Sequence, residues 1–319
     1  MPFTIVRQDI TKMNADAIVN AANTELRMGG GVCGAIFSAA GADILQNACN
    51  ALAPIKTGEA AITKGFNLPA KYIIHTAGPV FRGGNQGEKA LLRSCYTNSL
   101  ELAVKNNCES IAFPLISSGI YGFPKADALR VATGAIRDFI SEHDIDVSLA
   151  VFDKKALVAS EELLGAVKSY IDEHYVREKE HRYFRGEMID AGFAPVGVSL
   201  DDLVGDLDEP FSTTLLRLID STGKKDSEVY NRANIDRRLF SKIRSNTNYA
   251  PSKPTVLAFA IALELTLAQT KDLLERAGLA LSRSRKFDVI VEYFIESQKY
   301  DIYEINEVLF SYDQPLLGG

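Results

Sequence analysis

Two asparagines and two glycine turns hold most of the chemistry legible in this sequence. Asp16-Ala-Ile-Val-Asn20-Ala-Ala-Asn23 ends an apolar stretch in two carboxamides, and Gly29-Gly30-Gly31-Val32 follows six residues later. Backbone N–H groups at a helix start are unsatisfied donors at the positive end of a dipole, so a glycine run entering a helix suits a phosphate. A second turn, Ser117-Ser118-Gly119-Ile120-Tyr121-Gly122, follows another apolar stretch. Two such turns on one sheet predict a diphosphate held from both sides, with the carboxamides facing a sugar. Either turn alone is equally a tight strand-to-helix connection, and neither the P-loop nor the dinucleotide-binding glycine fingerprint occurs.

These residues need a sheet to position them. Strands are predicted at Phe3–Arg7, Asp16–Asn20, Tyr72–Thr76, Ser110–Leu115 and Val147–Phe152, rich in Val, Ile and Phe without polar alternation, as strands buried on both faces are. Helices are predicted over 34–40, 42–52, 88–106, 124–142 and 155–173. The interleaving implies a three-layer α/β domain over residues 1–175. A charged, then glycine- and proline-bearing stretch, 176–210, reads as a linker. Beyond it, 211–319 is predicted all-helical, with helices near 211–221, 227–233, 237–244, 253–264, 268–277, 287–297 and 302–311.

At 319 residues, two domains are the prior. The net charge is −6, yet Lys224 to Lys286 contains 13 Lys+Arg against 6 Asp+Glu. That segment points either to a polyanionic partner or to a solvated basic face. The four cysteines form no C-x-x-C pair, and a reducing cytoplasm fits them. No apolar run approaches the length of a membrane span, so no membrane partner is expected, and the location is read as cytoplasmic.

In order and spacing, Asp9-Ile10-Thr11, Ala17-Ile-Val-Asn20-Ala-Ala-Asn23, Gly29-Gly-Gly-Val32, His75-Thr-Ala-Gly-Pro79 and Ser117-Ser-Gly-Ile-Tyr-Gly122 resemble the macrodomain family of ADP-ribose-binding α/β modules. The blocks span residues 1–175 and are similar to the MacroD-type branch, which includes ADP-ribosyl and O-acetyl-ADP-ribose hydrolases. The resemblance implies a three-layer α/β/α fold with a central mixed sheet. It also implies roles. Asp9 accepts from the adenine amine with Ile10 beside it, unless Asp9 only caps the following turn. Phe152 stacks on adenine, or is an ordinary core phenylalanine. Ser117, Ser118, Gly119, Ile120, Tyr121 and Gly122 wrap one phosphate, and Gly30, Gly31 and Val32 the other. Tyr121 shields the distal ribose and Asn23 bonds its hydroxyls. Asn20 either joins Asn23 or is a buried structural amide. His75, with no Ser or Cys partner near it in sequence, is read as structural.

MacroD-like hydrolases carry an aspartate after the glycine loop and a histidine four residues on; this chain has Cys33 and Phe37. A carboxylate can orient or deprotonate an attacking water, which a neutral thiol does poorly. Catalysis then falls to Asn23, with a water held by the ligand's own phosphate, as positioning and preorganisation. Cys33 at a helix N-terminus permits a thiolate nucleophile or base; the competing reading is a small apolar residue lining the loop. No metal ligand set and no cofactor is expected.

Residues 211–280 resemble a helix-turn-helix domain of the Cro/C1 repressor type. Asp226–Ala233 would be the first helix of the motif, Asn234-Ile235 the turn and Asp236–Arg244 the second helix, offering Arg237, Arg238, Lys242 and Arg244 to phosphates or base edges. DNA binding competes here with a helical scaffold for protein contact. For the whole chain the leading expectation is hydrolysis of ADP-ribosyl or O-acyl-ADP-ribose linkages. The alternative is a non-catalytic ADP-ribose reader coupled to a DNA- or protein-binding helical domain.

Overall fold

The structure, a computed structural model, describes residues 2–151 and 209–318, together with Val167 and Tyr170. Two units divide it, Met1–Val158 and Ala159–Gly319. The predicted helix over 155–173, apart from Val167 and Tyr170, lies outside the described residues, as do the boundary at 175, nearly all of the 176–210 linker and Phe152.

The first unit is built on a six-stranded sheet: β1 (Phe3–Val6), β2 (Ala17–Ala22), β3 (Ala60–Lys64), β4 (Tyr72–Ala77), β5 (Ser110–Pro114) and β6 (Asp146–Ala150), in spatial order β1-β6-β5-β2-β4-β3. All neighbours are parallel except β3, which pairs antiparallel with β4 at one edge. The sheet is therefore mixed, as expected, although β3 carries no strand signal in the sequence reading. Among the described residues four α-helices accompany it: α1 (Gly31–Ala40), α2 (Ala42–Asn50), α3 (Glu88–Lys105) and α4 (Lys125–Ile140). Near-continuous apolar strands follow from this cover, since Ile18, Val19, Ile73, Ile74, Ile111, Phe113, Val147 and Leu149 are all buried.

The regular elements among the second unit's described residues are all helices: α5 (Phe211–Thr222), α6 (Asp226–Arg232), α7 (Arg237–Ser245), α8 (Lys253–Ala262), α9 (Leu267–Glu275), α10 (Lys286–Glu296) and α11 (Ile302–Ser311). The sequence explains where these helices start. Asp236, Ser252, Thr266 and Asp301 each accept a backbone N–H of the first turn that follows them. Thr255 to Leu263 are buried without a break, so α8 is the central helix. Among the described residues no single helix is long and apolar enough to cross a membrane.

Candidate functional site

Strand connectivity makes the crevice. From β2 the chain leaves toward β4 and β3, whereas from β5 it leaves toward β6, so the β2–β5 boundary is where the winding reverses. Ligands of open parallel sheets bind at such a switch point, beyond the carboxyl ends of the strands. The strands also part there. β2 and β5 pair only at Ala17↔Ile111 and Ile18↔Ala112, while β2 stays paired with β4 through Ala22↔Ala77. The two glycine turns leave these strand ends.

The first turn enters α1 at Gly31, whose φ of 62° lies in the region glycine adopts without strain. The sequence reading starts this helix at 34; in the structure Gly31, Val32 and Cys33 form its first turn. No side chain caps it, so its leading amides remain available. Gly34 is also required. A Cβ there would stand 2.6 Å from the Gly29 carbonyl oxygen, so the helix presses directly on the glycine run.

The second turn is held from behind. The buried Tyr96 hydroxyl donates to the Pro114 carbonyl at 3.4 Å and accepts from the Ile116 amide at 3.1 Å. Ser117 has a left-handed φ of 62°, and its Oγ is buried without a partner. Gly78 makes room for it, because a Cβ there would meet that Oγ at 2.3 Å. The Phe123 amide donates to the Ser117 carbonyl and the Gly122 amide to the Gly119 carbonyl. The Phe81 amide donates to the Tyr121 carbonyl. Among the described residues the amides of Gly119, Ile120 and Tyr121 have no acceptor. The two turns meet: Ile120 is 83% exposed, and its Cδ1 lies 3.4 Å from where a Cβ on Gly30 would be. Tyr96 and Gly34 carry no signal in the sequence, whereas Gly78 lies in the His75-Thr-Ala-Gly-Pro79 block.

Asp9 caps the short 3-10 turn Ile10–Lys12, its Oδ1 accepting from the Thr11 amide at 3.0 Å and the Thr11 hydroxyl at 2.8 Å. Those bonds hold its carboxyl below the usual range, and both fall on one oxygen. Ile10 is buried beside it. Asn23 braces its own loop, Nδ2 donating to the Arg27 carbonyl at 2.8 Å and Oδ1 accepting from the Arg27 amide at 3.1 Å. Each atom keeps a further hydrogen-bonding site. Asn20 is fully buried, with Nδ2 3.0 Å from His75 Nδ1 and 3.7 Å from Cys33 Sγ. Cys33 is buried under the turn, where its thiol also reaches the Arg27 carbonyl at 3.8 Å. Phe37 is buried edge-on to the His75 ring, 6.4 Å between centroids. Partners from elsewhere in the chain also meet the His75 ring: Thr63 Oγ1 at 2.9 Å and Cys49 Sγ at 3.8 Å. Among the described residues no group of three His, Cys, Asp or Glu side chains stands where it could hold a metal ion.

In the second unit α6 and α7 flank Ala233-Asn234-Ile235-Asp236, with Asn234 at a φ of 53°. Phe240 and Ile243 turn inward, while Arg237, Arg238, Lys242 and Arg244 are exposed. Arg244 is ion-paired with Asp226 across the two helices.

A family model described as the Macro domain matches residues 19–132. A Macro domain-containing protein of Chlorobaculum tepidum is 54% identical over 137 residues, covering 43% of this chain and 79% of that protein. The O-acetyl-ADP-ribose deacetylase of Escherichia fergusonii is 49% identical over 143 residues, 44% of this chain and 80% of its own. The ADP-ribose glycohydrolase MACROD2 of Mus musculus is 47% identical over 150 residues, 47% of this chain and 31% of its own.

Proposed function

The chain belongs to the Macro domain family, and on that premise we propose that its first unit binds ADP-ribose and hydrolyses ADP-ribosyl or O-acyl-ADP-ribose linkages. One observation carries the reading. Two turns with uncommitted amides face each other at the sheet's switch point, one of them at an uncapped helix N-terminus. Backbone donors so placed suit two phosphates of opposite flank better than any side-chain set in the unit. Gly30, Gly31 and Val32 take one phosphate; Ser117 through Gly122 take the other. Asp9 and Ile10 receive the adenine on the β1 side, Phe152 (outside the described residues) is read as its stacking partner, and Asn20 and Asn23 receive the distal ribose on the β2 side, shielded by Tyr121.

The chemistry then relies on placement. A water attacking the anomeric or acyl carbon needs a fixed partner and a group to take its proton. Cys33 is packed between Asn20 and the Arg27 carbonyl, which supports a lining role rather than that of a base. The nucleophilic water in this reading is held by the ligand's phosphate, with Asn23 fixing the sugar. Purified protein should release free ADP-ribose from ADP-ribosylated protein, or deacetylate O-acetyl-ADP-ribose. Tight ADP-ribose binding with no turnover on either substrate would reject hydrolysis and leave the non-catalytic reader.

A second reading concerns the helical unit. The α6–turn–α7 pair with Arg237, Arg238, Lys242 and Arg244 on its outer face supports a helix-turn-helix contact with DNA. Gel shifts at several salt concentrations test it: binding should weaken steeply with salt and with Arg237→Ala plus Lys242→Ala. Unchanged mobility at low salt would assign this face to protein contact.

A further inference from the structure

Below the first turn of α1 a file of buried polar side chains crosses three neighbouring strands, from Thr63 on β3 through His75 on β4 to Asn20 on β2. Thr63 Oγ1 stands 2.9 Å from His75 Nε2, and Asn20 Nδ2 stands 3.0 Å from His75 Nδ1. An amide nitrogen only donates, so Nδ1 accepts, and a neutral ring must then carry its proton on Nε2 and give it to Thr63 Oγ1. Burial lowers the His75 pKa to about 4, which keeps the ring neutral at ordinary pH. The nitrogen of Asn20 is thus committed to His75, with Cys33 Sγ beside it. Its oxygen is left over. Asn20 Oδ1 is buried and has no hydrogen-bond partner.

An orphan carbonyl in an interior is costly unless some state of the protein satisfies it. The opposite orientation would set the oxygen on an Nδ1–H and leave the amide nitrogen spare instead, so the tautomer of His75 decides which end of the amide is free. The vacant acceptor also has a meaningful address. It lies on β2 three residues before Asn23, where β2 has already parted from β5. Resting on the ADP-ribose reading above, we propose that Thr63 and His75 are positioning residues that lock the Asn20 carboxamide so that its oxygen receives a hydroxyl of the distal ribose. Neither touches the ligand. Their effect is to choose which end of the amide the sugar meets.

The proposal separates two ligands that share every other contact, ADP-ribose and ADP, because ADP lacks the distal sugar. Thr63→Val removes the hydroxyl that accepts from Nε2–H while keeping the strand's shape; Thr63→Ser restores it. Calorimetry on the full chain should show Thr63→Val weakening ADP-ribose about tenfold, the size of one neutral hydrogen bond, with ADP within about twofold and Thr63→Ser near wild type. Imidazole 15N shifts should show a single Nε2–H tautomer in wild type that Thr63→Val blurs. Equal losses for both ligands would mean a structural role only and overturn the proposal. So would an unchanged ADP-ribose affinity, or an Nδ1–H tautomer in wild type. Wild-type protein that binds neither ligand would overturn the reading beneath it as well.

Discussion

Gly34 offers the sharpest test of the phosphate cradle, because helix propensity and the site pull in opposite directions there. In an ordinary helix, Gly→Ala stabilises by about 1 kcal/mol. Here the new methyl would stand 2.6 Å from the Gly29 carbonyl oxygen, a backbone atom with no rotamer to yield. Reaching ordinary contact near 3.4 Å requires the glycine run and the helix to separate by roughly 0.8 Å. A hydrogen bond of about 2.9 Å stretched by that amount is no longer one. Charge-assisted bonds are worth about 1.5–3 kcal/mol each, so losing one should weaken ADP-ribose about ten- to a hundredfold. Overpacking costs about 1–3 kcal/mol, which roughly cancels the propensity gain, so Gly34→Ala should melt within a few degrees of wild type. Ala35→Gly, on the exposed face of the same turn, is the control: it should lose stability and keep affinity. Calorimetric titration decides the matter. An affinity within threefold of wild type would refute the claim that this helix start holds a phosphate.

Further outcomes follow from other sites. Asn23→Ala should abolish turnover in the hydrolysis assay; retained turnover would remove Asn23 from the catalytic reading. Asp288 is 1% exposed and accepts from Lys253 Nζ at 2.8 Å and the Ser282 amide at 2.7 Å, joining α8 to the loop before α10. Lys253→Met should therefore cost about 3 kcal/mol in urea unfolding followed at the helical band, with part regained in Lys253→Met plus Asp288→Leu. His75 folds with a depressed pKa, so between pH 6.5 and about 4 the unfolded chain binds the extra proton. Stability from this residue is complete above pH 6.5 and is lost as pH falls toward 4, by roughly 3 kcal/mol. His75→Gln should flatten that part of the Tm–pH curve, and an unchanged slope would count against a buried neutral ring. Asp16, held below the usual carboxylate range by the Lys71 ammonium and by backbone amides, acts only below its unfolded value of 3.8, as pH falls through its lower folded one.

The sheet was legible because buried parallel strands advertise themselves. Tyr72–Ala77 and Ser110–Pro114 differ from their predicted ends by one residue each. β3 was not, since Ala60-Ala-Ile-Thr-Lys64 lies at an edge and is mostly half-buried, so it lacks an apolar run. That omission had a cost for the site. Thr63 reaches His75 through the antiparallel β3–β4 pairing, so a reader without β3 misses that partner of the ring. The glycine turns and asparagines were visible because their residue types are needed by the local backbone. Tyr96, which stands behind the second turn, depends on a contact with a segment twenty residues away, which no local pattern encodes; Gly34 lies five residues from the Gly29 carbonyl it must clear, but only the fold of the turn brings the two together. Helix α1 starts at Gly31 rather than 34, because glycine's poor propensity hides a first turn that packing onto β2 supports.

Ile120 has one more bearing on how a nucleotide comes and goes. A single methyl tip beside a residue with no side chain has an attraction of only a few tenths of a kcal/mol, and an exposed isoleucine changes rotamer in picoseconds to nanoseconds. Such a bar does not delay arrival. Once a charged group lies beneath it, however, the same branched hydrocarbon roofs the anion and lowers the local dielectric, so the backbone donors below bind more strongly than they would in open water.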